Sequence, residues 1–403
     1  MLRQAVILAG GMGTRLGPMT RYIPKPVLDV GGKPFLEYLI WNLKRFGIKD
    51  IILSVGYLAD VIIHKLGDGS KYGVRINYSI EENPAGTAGA IKIAESLLDD
   101  SFLLVNGDTI LDANYLELEL CRRKNNALVA MALREVEDVS RHGAVNIDEE
   151  IVNVFGEKNL SGPGYINAGI YAVHRSITDF ISSQPCSFEQ EVLPQLVAKG
   201  LVSGLACNGF FIDIGVPDDL EKSRVLVPRW RHKPAVFFDR DGVLNYDRGY
   251  VHTAQEFKWV PGAIEAVKKV NDAGYLAIVI TNQAGIARGY YTEKDFLKFS
   301  EWINEELRRH GAHIDATYFC PHHPTAGIGI YKVECDCRKP RPGMLLQAIE
   351  DWNIDVSRSV FFGDKISDIT AAESAGVKGV LVKEGEIFAQ VSYWIKDTQI
   401  AIA

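Results

Sequence analysis

Short apolar runs that end in glycine or in polar side chains recur along the chain. Residues 4–9 are apolar and run directly into Gly10, which predicts a buried strand followed by a tight turn. Apolar residues at helical spacing then alternate with further strand-like runs, a pattern typical of α/β folds with parallel strands. The predicted helices are 35–46 and 57–66, and the predicted strands that follow the first are 51–55, 75–80 and 102–105.

The same pattern starts again past the middle of the chain, at Ala235–Asn245. Its apolar run ends in Asp239 and Asp241, and an apolar strand that delivers polar groups at its C-terminal end is how open α/β sheets begin an active site. Further apolar strands are predicted at 275–280 and 359–362. We therefore predict two Rossmann-like α/β domains, residues 1–228 and 235–403, joined by a short proline-flanked linker at 229–234.

Composition narrows the class of protein. The chain has 403 residues, 47% of them hydrophobic and 24% charged, which is ordinary for a globular protein and long enough for two cores. A formal charge of -7 argues against nucleic acid as a partner. No apolar run reaches the length of a membrane span, and six cysteines are too few for a disulfide scaffold, so we expect a cytoplasmic protein that does not bind membranes.

The first glycine loop carries candidate chemistry. Gly10, Gly11 and Gly13 would let backbone N–H groups wrap a phosphate chain, and Arg15 adds a cation. The glycines alone are also compatible with a purely structural turn. Lys25 lies between two prolines, whose stiff backbone suits a lysine that must point in one direction.

The order G-G-x-G-T-R-L-x-P-x-T, then P-K-P, resembles the signature of the sugar-1-phosphate nucleotidyltransferases, which have a mixed, GT-A-like sheet. The resemblance covers nearly all of the first half. It implies that Arg15 and Lys25 are catalytic and that the nucleotide is bound by Leu8, Gly10, Gly11, Gly13, Thr14, Gly86 and Thr87. Gly86 and Thr87 open a G-T-A-G-A segment at the start of a predicted helix, and a plain helix start was the alternative interpretation.

Acidic and sugar-binding residues follow from the same resemblance. Asp108 ends a predicted strand, where a carboxylate can hold Mg²⁺, and the family pairs such an aspartate with a later one that matches Asp213. Sugar contacts are implied for Gly107, Glu157, Lys158 and Asn167. Glu157 and Lys158 alone could instead be a solvated ion pair.

The second half begins with a D-x-D pair. Two carboxylates as close as Asp239 and Asp241 repel each other unless a cation lies between them, which predicts a Mg²⁺ site. With the metal bound, Asp239 could attack a phosphoryl group and Asp241 could act as acid and base. A solvated surface turn is the alternative, and the apolar strand before the pair argues against it.

Four motifs in order, D-x-D, T-N, K and G-D-x-x-x-D, resemble the haloacid dehalogenase superfamily of phosphotransferases. The resemblance implies that Asp239 is the nucleophile, Lys339 balances the phosphoryl charge, and Asp364 joins Asp239 and Asp241 at Mg²⁺. Thr281, Asn282, Gln283 and Arg338 are expected to bind the phosphate or substrate. The interval between Asp241 and Thr281 is short, so we predict a parallel sheet without a large cap domain.

A cysteine-rich loop lies between the second and third of these motifs. The pairs Cys320/His322 and Cys335/Cys337 supply three sulfurs and one nitrogen, a set that fits one structural, tetrahedral Zn²⁺. His323 is an alternative ligand, and a metal-free reduced loop is the alternative interpretation. Such a zinc would aim Arg338 and Lys339 at the phosphate.

The zinc loop with C-R-K-P-x-P-G-M resembles a narrower group, the heptose 1,7-bisphosphate phosphatases and the related histidinol-phosphate phosphatases. Removal of the 7-phosphate leaves a sugar 1-phosphate, which is the kind of substrate that nucleotidyltransferases consume. We therefore expect one bifunctional enzyme of nucleotide-activated heptose synthesis, serving surface polysaccharide or lipopolysaccharide. The G-T-A-G-A segment resembles mannose guanylyltransferases and favours GTP.

Two other functions remain open from the sequence. A hexose nucleotidyltransferase could be fused to a histidinol-phosphate phosphatase-like domain, or one domain could be a catalytically dead sensor or scaffold. In each case the expected partners are small molecules, with homo-oligomers as an option.

Overall fold

The computed structural model describes residues 2–140, 143–157, 161–182 and 184–400. The chain divides into two compact units, Met1–Trp230 and Arg231–Ala403. Among the described residues, no helix combines the length and the apolar character needed to cross a bilayer.

The first unit is built on a mixed sheet of nine strands in the described residues. The strands of this unit are β1 Gln4–Leu8, β2 Asp29–Val30, β3 Lys33–Pro34, β4 Asp50–Val55, β5 Arg75–Ile80, β6 Ser101–Asn106, β7 Thr109–Leu111, β8 Val129–Val136, β9 Ala144–Asp148, β10 Ile151–Glu157, β11 Gly164–His174, β12 Val202–Ala206 and β13 Phe211–Asp213. The helices are α1 Phe35–Arg45, α2 Ala59–Leu66, α3 Gly86–Ile93, α4 Tyr115–Lys124, α5 Leu193–Ala198 and α6 Pro217–Arg231.

The order of the large sheet is β5-β4-β1-β6-β11-β8-β12-β10-β9. Strands β1, β4, β5 and β6 are parallel, and β11 runs antiparallel to β6 and β8. Parallel neighbours bring the C-terminal ends of β1 and β6 to one edge, which is where the glycine loop and Asp108 follow. The antiparallel pair β13–β7 sets Asp213 opposite Thr109, and it thereby brings the second predicted metal ligand beside the first.

The second unit is an all-parallel sheet in the order β16-β15-β14-β17-β18. Its strands are β14 Ala235–Phe238, β15 Leu276–Asn282, β16 Ala316–Cys320, β17 Val360–Gly363 and β18 Lys378–Leu381. Its helices are α7 Ala263–Asp272, α8 Ala284–Ala287, α9 Glu293–Arg308, α10 Gly343–Trp352, α11 Ile366–Ser374 and α12 Ile387–Ile400. Asp239, Gln283 and Asp364 each follow directly after a strand. Because these strands are parallel, the three residues lie at the same edge of the sheet.

The predicted α/β class, with a mixed sheet followed by a parallel one, is confirmed. The start of the predicted linker is helical, because α6 continues through Pro228 to Arg231. Trp230 is buried in the first unit, stacked on Phe210 and edge-on to Trp41. Only residues 232–234 separate this helix from β14. Helix α12 contributes Val391 and Ile395 to the core of the second unit.

Candidate active sites

The first pocket lies at the C-terminal ends of β1 and β6 and has a volume of about 490 Å³. The glycine loop forms one wall, and Gly13 takes a left-handed conformation (φ 63°) that a side chain would strain. All of the predicted nucleotide-binding residues line this pocket, together with Arg15, Lys25, Gly107 and Asp108. The predicted residues therefore lie around one pocket, because the C-terminal ends of parallel strands meet at one edge of the sheet.

Lys25 is the buried cation of this pocket. It follows Pro24, whose extended backbone (φ -64°, ψ 143°) precedes a short 3₁₀ turn at Lys25–Val27. Its Nζ pairs with Asp108 Oδ2 and lies 3.9 Å from Asp213 Oδ1. Burial and the neighbouring Asp108 raise the pKa of Asp213. Two carboxylates that share one lysine leave negative charge for a second cation, so the donor set fits Mg²⁺.

Glu81 and Glu189 line the first pocket and were not predicted. Glu81 Oε1 accepts a hydrogen bond from Ser54 Oγ at 3.0 Å, and its Oε2 accepts one from the Ala85 N–H at 3.2 Å. Thr87 Oγ1 donates to Glu189 Oε2 at 2.6 Å, so this threonine is fixed by a carboxylate. Sequence reasoning missed both glutamates because neither belongs to the motifs from which the nucleotide site was predicted.

The predicted sugar contacts are only partly described. Asn167 Nδ2 donates to the Tyr171 hydroxyl at 2.6 Å, and Asn167 Oδ1 accepts from the Gly169 N–H at 2.9 Å. Asn167 is not among the residues that line the pocket. Lys158 and the side chain of Glu157 lie outside the described residues, so their roles stay predictions.

The second unit has a cleft of about 470 Å³ at the C-terminal edge of its sheet. Lys339 is buried there, and its Nζ lies 2.9 Å from Asp239 Oδ1 and 2.7 Å from Asp368 Oδ1. Its third hydrogen bond goes to the Ile280 carbonyl oxygen at 2.9 Å. Asn282 holds the Lys339 backbone from both sides, donating to its carbonyl at 3.1 Å and accepting from its N–H at 3.1 Å. Lys339 is thus fixed beside the predicted nucleophile.

The carboxylates that cluster in this cleft are Asp239, Asp364 and Asp368, whose ligand atoms lie within 4.8 Å of one another. Burial raises the pKa of Asp239 to about 6, against the lowering effect of Lys339, and burial also raises the pKa of Asp364. Asp364 Oδ1 is buried with no hydrogen-bond partner among the described residues. Buried carboxylates with spare acceptor atoms fit a divalent cation.

Asp241 is absent from this cluster of side-chain oxygens, and the Mg²⁺ set of Asp239, Asp241 and Asp364 stays a prediction. Arg240 donates to both Asp241 oxygens at 2.8 Å, and Asn245 donates to Oδ1 at 3.0 Å. The Asp241 carboxylate is paired with the buried Arg240, and it lines the cleft together with Asp239 and Asp368. Asp368, the last residue of the G-D-x-x-x-D motif, lies with Asp239 and Asp364.

The predicted phosphate-binding residues Thr281, Asn282, Gln283 and Arg338 all line the cleft. Arg338 Nη1 also donates to the His322 carbonyl oxygen at 3.1 Å, which ties it to the cysteine-rich loop. Arg288 and Lys365 line the same cleft and were missed as site residues. Arg288 follows the T-N motif by only a few residues, in the segment N-Q-A-G-I-A-R-G at 282–289, and this closeness in the sequence was the available signal.

The four predicted zinc ligands converge. Cys320, His322, Cys335 and Cys337 place their ligand atoms within 4.8 Å, with Sγ–Sγ distances of 3.2 to 3.5 Å and His322 Nδ1 3.4 Å from Cys337 Sγ. Three thiols and an imidazole at these separations fit one tetrahedral Zn²⁺. The alternative ligand His323 is not in the cluster, since its Nδ1 accepts from the Ala326 N–H at 3.0 Å.

Comparisons with known proteins agree with the two units. Residues 4–227 match the nucleotidyl transferase family, and residues 336–391 match the HAD-hydrolase-like family. The chain is similar to HddC from Yersinia pseudotuberculosis, with 37% identity, a TM-score of 0.50, and coverage of 55% of this chain and 98% of that one.

Two curated relatives match a further part of the chain. It is 50% identical over 155 residues to the D-glycero-beta-D-manno-heptose-1,7-bisphosphate 7-phosphatase of Pasteurella multocida, covering 38% of this chain and 84% of the relative. It is also 50% identical over 148 residues to the corresponding alpha-heptose phosphatase of Burkholderia mallei, covering 37% of this chain and 78% of the relative. The chain is equally identical to the beta-heptose and the alpha-heptose enzyme, so sequence similarity does not indicate which anomer of the heptose it would take.

Proposed function

The chain belongs to the nucleotidyl transferase family through its first half and to the heptose-bisphosphate 7-phosphatases through its second, and we propose that it converts heptose 1,7-bisphosphate to a nucleotide-activated heptose in two steps. The observation that carries this proposal is the 50% identity to heptose-bisphosphate phosphatases in a chain that also carries a nucleotidyltransferase unit. The first reaction produces the class of substrate that the second consumes.

In the phosphatase reaction, Asp239 attacks the phosphorus of the 7-phosphate and the bond to the sugar oxygen breaks. Asp241 gives its proton to the leaving alkoxide, which departs as a hydroxyl group. Water then attacks the aspartyl phosphate, returns a proton to Asp241 and releases inorganic phosphate. Lys339, 2.9 Å from Asp239, offsets the charge of the phosphoryl group. Mg²⁺ held by Asp239 and Asp364 would supply further positive charge.

The rim of the cleft suits a substrate with two phosphates. Arg288 lines it, and its Nε is buried with no hydrogen-bond partner among the described residues. Arg338 lines the same cleft, and the guanidinium groups of both residues bind phosphate well because their donors form a planar fork. We assign these two arginines to the phosphate that stays on the sugar.

In the nucleotidyl transfer, an oxygen of the sugar phosphate attacks the α-phosphorus of the nucleoside triphosphate. The bond from that phosphorus to the bridging oxygen breaks, and pyrophosphate leaves. Arg15 and Lys25 stabilise the charge that develops. Mg²⁺ at Asp108 and Asp213 would neutralise the phosphates.

We assign guanine as the base. Each Glu81 oxygen accepts one protein hydrogen bond and keeps a second acceptor site, on the wall of the nucleotide pocket. Guanine is the common base that presents two adjacent donors, N1–H and N2–H₂, on one edge. A carboxylate with two free acceptor sites complements that edge.

The zinc in this proposal is structural. Four protein ligands complete a tetrahedral site and leave no position for substrate. The loop that they close runs directly into Arg338 and Lys339. Zinc would therefore fix the position of two cations of the phosphatase cleft.

The test is one incubation of the whole chain with heptose 1,7-bisphosphate of either anomer, Mg²⁺ and each nucleoside triphosphate in turn. Release of both phosphate and pyrophosphate, with pyrophosphate only when GTP is present, is the expected result. Phosphate from histidinol phosphate instead, or pyrophosphate only with a hexose 1-phosphate, would replace the heptose proposal with the alternative fusion. Asp239→Asn should abolish both releases from heptose 1,7-bisphosphate, because no heptose 1-phosphate forms, and it should leave pyrophosphate release from added heptose 1-phosphate intact. Asp108→Ala should abolish pyrophosphate release alone.

A further inference from the structure

Gln283 was predicted to bind phosphate, yet its amide group is used inside the protein. Its Nε2 donates to Asp241 Oδ2 at 3.1 Å and to Thr281 Oγ1 at 2.8 Å. Its Oε1 accepts from the Tyr291 hydroxyl at 2.7 Å. Gln283, Thr281 and Tyr291 are all buried. Both hydrogens of the amide and its oxygen therefore have protein partners.

Chemistry dictates which way this amide points. In its ionised form the Asp241 carboxylate can only accept, so the NH₂ end of the amide must face Asp241 and the carbonyl end must face Tyr291. Tyr291 must then donate its hydroxyl hydrogen. Without that donor, the amide would lose the contact that fixes its carbonyl end.

The hydrogen bond from Gln283 also connects Asp241 to a residue outside its own loop. Arg240 and Asn245 hold the same carboxylate, but both belong to the loop that carries Asp241 and would move with it. Gln283 follows β15, beside Thr281. It therefore fixes Asp241 relative to the end of a neighbouring strand.

The ring of Tyr291 is held in turn. It stacks on His252 with ring centroids 4.6 Å apart and planes 12° from parallel. A Cβ on Gly285 would lie 2.3 Å from the Tyr291 ring, so only glycine leaves room for it. Burial raises the pKa of Tyr291 to about 12, which keeps the hydroxyl protonated as a donor.

We propose that Tyr291 and Gln283 are positioning residues that hold the Asp241 carboxyl group in place for proton transfer to the leaving group of the phosphatase reaction. This rests on the proposed function of the second unit. It assigns to Gln283 a role different from phosphate binding, and it explains why residue 285 is a glycine, since a Cβ there would meet the Tyr291 ring.

Proton transfer matters most for poor leaving groups, so the test compares esters. We would measure kcat and KM of Tyr291→Phe with heptose bisphosphate, with phenyl phosphate and with 4-nitrophenyl phosphate, whose leaving group needs no proton. Loss of one positioning hydrogen bond is expected to lower kcat for the first two by about three- to tenfold, with 4-nitrophenyl phosphate and every KM changed by less than about twofold. Equal losses on all three esters would overturn the proposal.

Tyr290→Phe is the matched control, because Tyr290 is an exposed neighbour that does not line the cleft. If Tyr291→Phe does not fold, Gln283→Glu replaces it: the new carboxylate still accepts from Tyr291 but repels Asp241, so the same leaving-group dependence is expected, and larger. A raised KM for all esters with kcat unchanged would return Gln283 to phosphate binding and refute the proposal.

The aryl esters also separate this inference from the proposed function. If the wild-type chain cleaves phenyl phosphates but not heptose bisphosphate, the proposal that heptose bisphosphate is the substrate would be refuted. The comparison between phenyl and 4-nitrophenyl phosphate would still decide the role of Tyr291.

Discussion

The base preference of the first unit should depend on one carboxylate, and Glu81→Gln tests it. The Ala85 N–H can only donate, so the glutamine oxygen must take the place of Oε2, 3.2 Å from that nitrogen. The glutamine NH₂ then takes the place of Oε1, beside Ser54. The Ser54 hydroxyl tolerates this because it can accept as well as donate. One acceptor facing the base thus becomes a donor, without a change of shape.

The magnitude follows from the hydrogen bonds that change. Guanine offers two donors, and the new side chain accepts one and opposes the other. A bidentate contact to a base edge is worth about 1–3 kcal/mol of discrimination, so kcat/KM with GTP should fall by roughly 5- to 150-fold. Uracil places an acceptor beside its N3–H donor, which complements an amide. The ratio of UTP to GTP use should therefore rise by more than GTP use falls.

The assay is pyrophosphate release with each of the four nucleoside triphosphates at limiting concentration. Glu82→Gln is the control, since it makes the same substitution at the adjacent position, on an exposed residue that does not line the pocket. Equal losses with all four triphosphates would show that Glu81 supports the glycine loop, since a Cβ on Gly10 would be only 2.7 Å from its Oε1. That result would refute its role in reading the base.

Three further predictions concern the metal loop, the lysine of the first pocket and the stability of the first unit. Cys337→Ser should remove bound zinc, measured by elemental analysis, and lower phosphate release about tenfold or more, while pyrophosphate release from added heptose 1-phosphate is unchanged. Lys25→Met should lower kcat for pyrophosphate release by about 10²–10³ and leave phosphate release unaffected, as two parallel assays would show. Glu119→Gln should lower the free energy of unfolding by about 3 kcal/mol, because it breaks a buried ion pair with 2.8 Å geometry. Glu221→Gln, at an exposed pair of the same 2.8 Å length, should lower the free energy of unfolding by less than about 1 kcal/mol. Both values are measured in denaturant titrations, with nucleotide binding as the signal of the folded first unit.

The sequence predicted the elements whose pattern is local. Apolar runs before Gly10, Asp108 and Asp239 became strands, and the helix predicted at 35–46 is α1, which ends one residue earlier. The strands β8 to β12 were largely missed, because much of this part of the sheet is antiparallel and irregular, with register shifts in β10 and β11. Local periodicity carries little information about such pairing.

Site residues were predictable where chemistry and position coincide in the chain. Cys320, His322, Cys335 and Cys337 are spaced for one metal, and Lys25 lies between prolines. Their convergence in the structure agrees with those predictions.

Only the tertiary structure decided what each carboxylate faces. The sequence assigned Asp241 rather than Asp368 to the metal, but the structure pairs Asp241 with Arg240 and groups Asp368 with Asp239 and Asp364. Gln283 looked like a phosphate ligand until its partners Asp241 and Tyr291 were in place. A sequence gives the type and order of side chains, but a hydrogen bond depends on distance and direction between residues far apart in the chain. The sequence therefore determined which reactive side chains are available. The tertiary packing determined which group each of these side chains contacts.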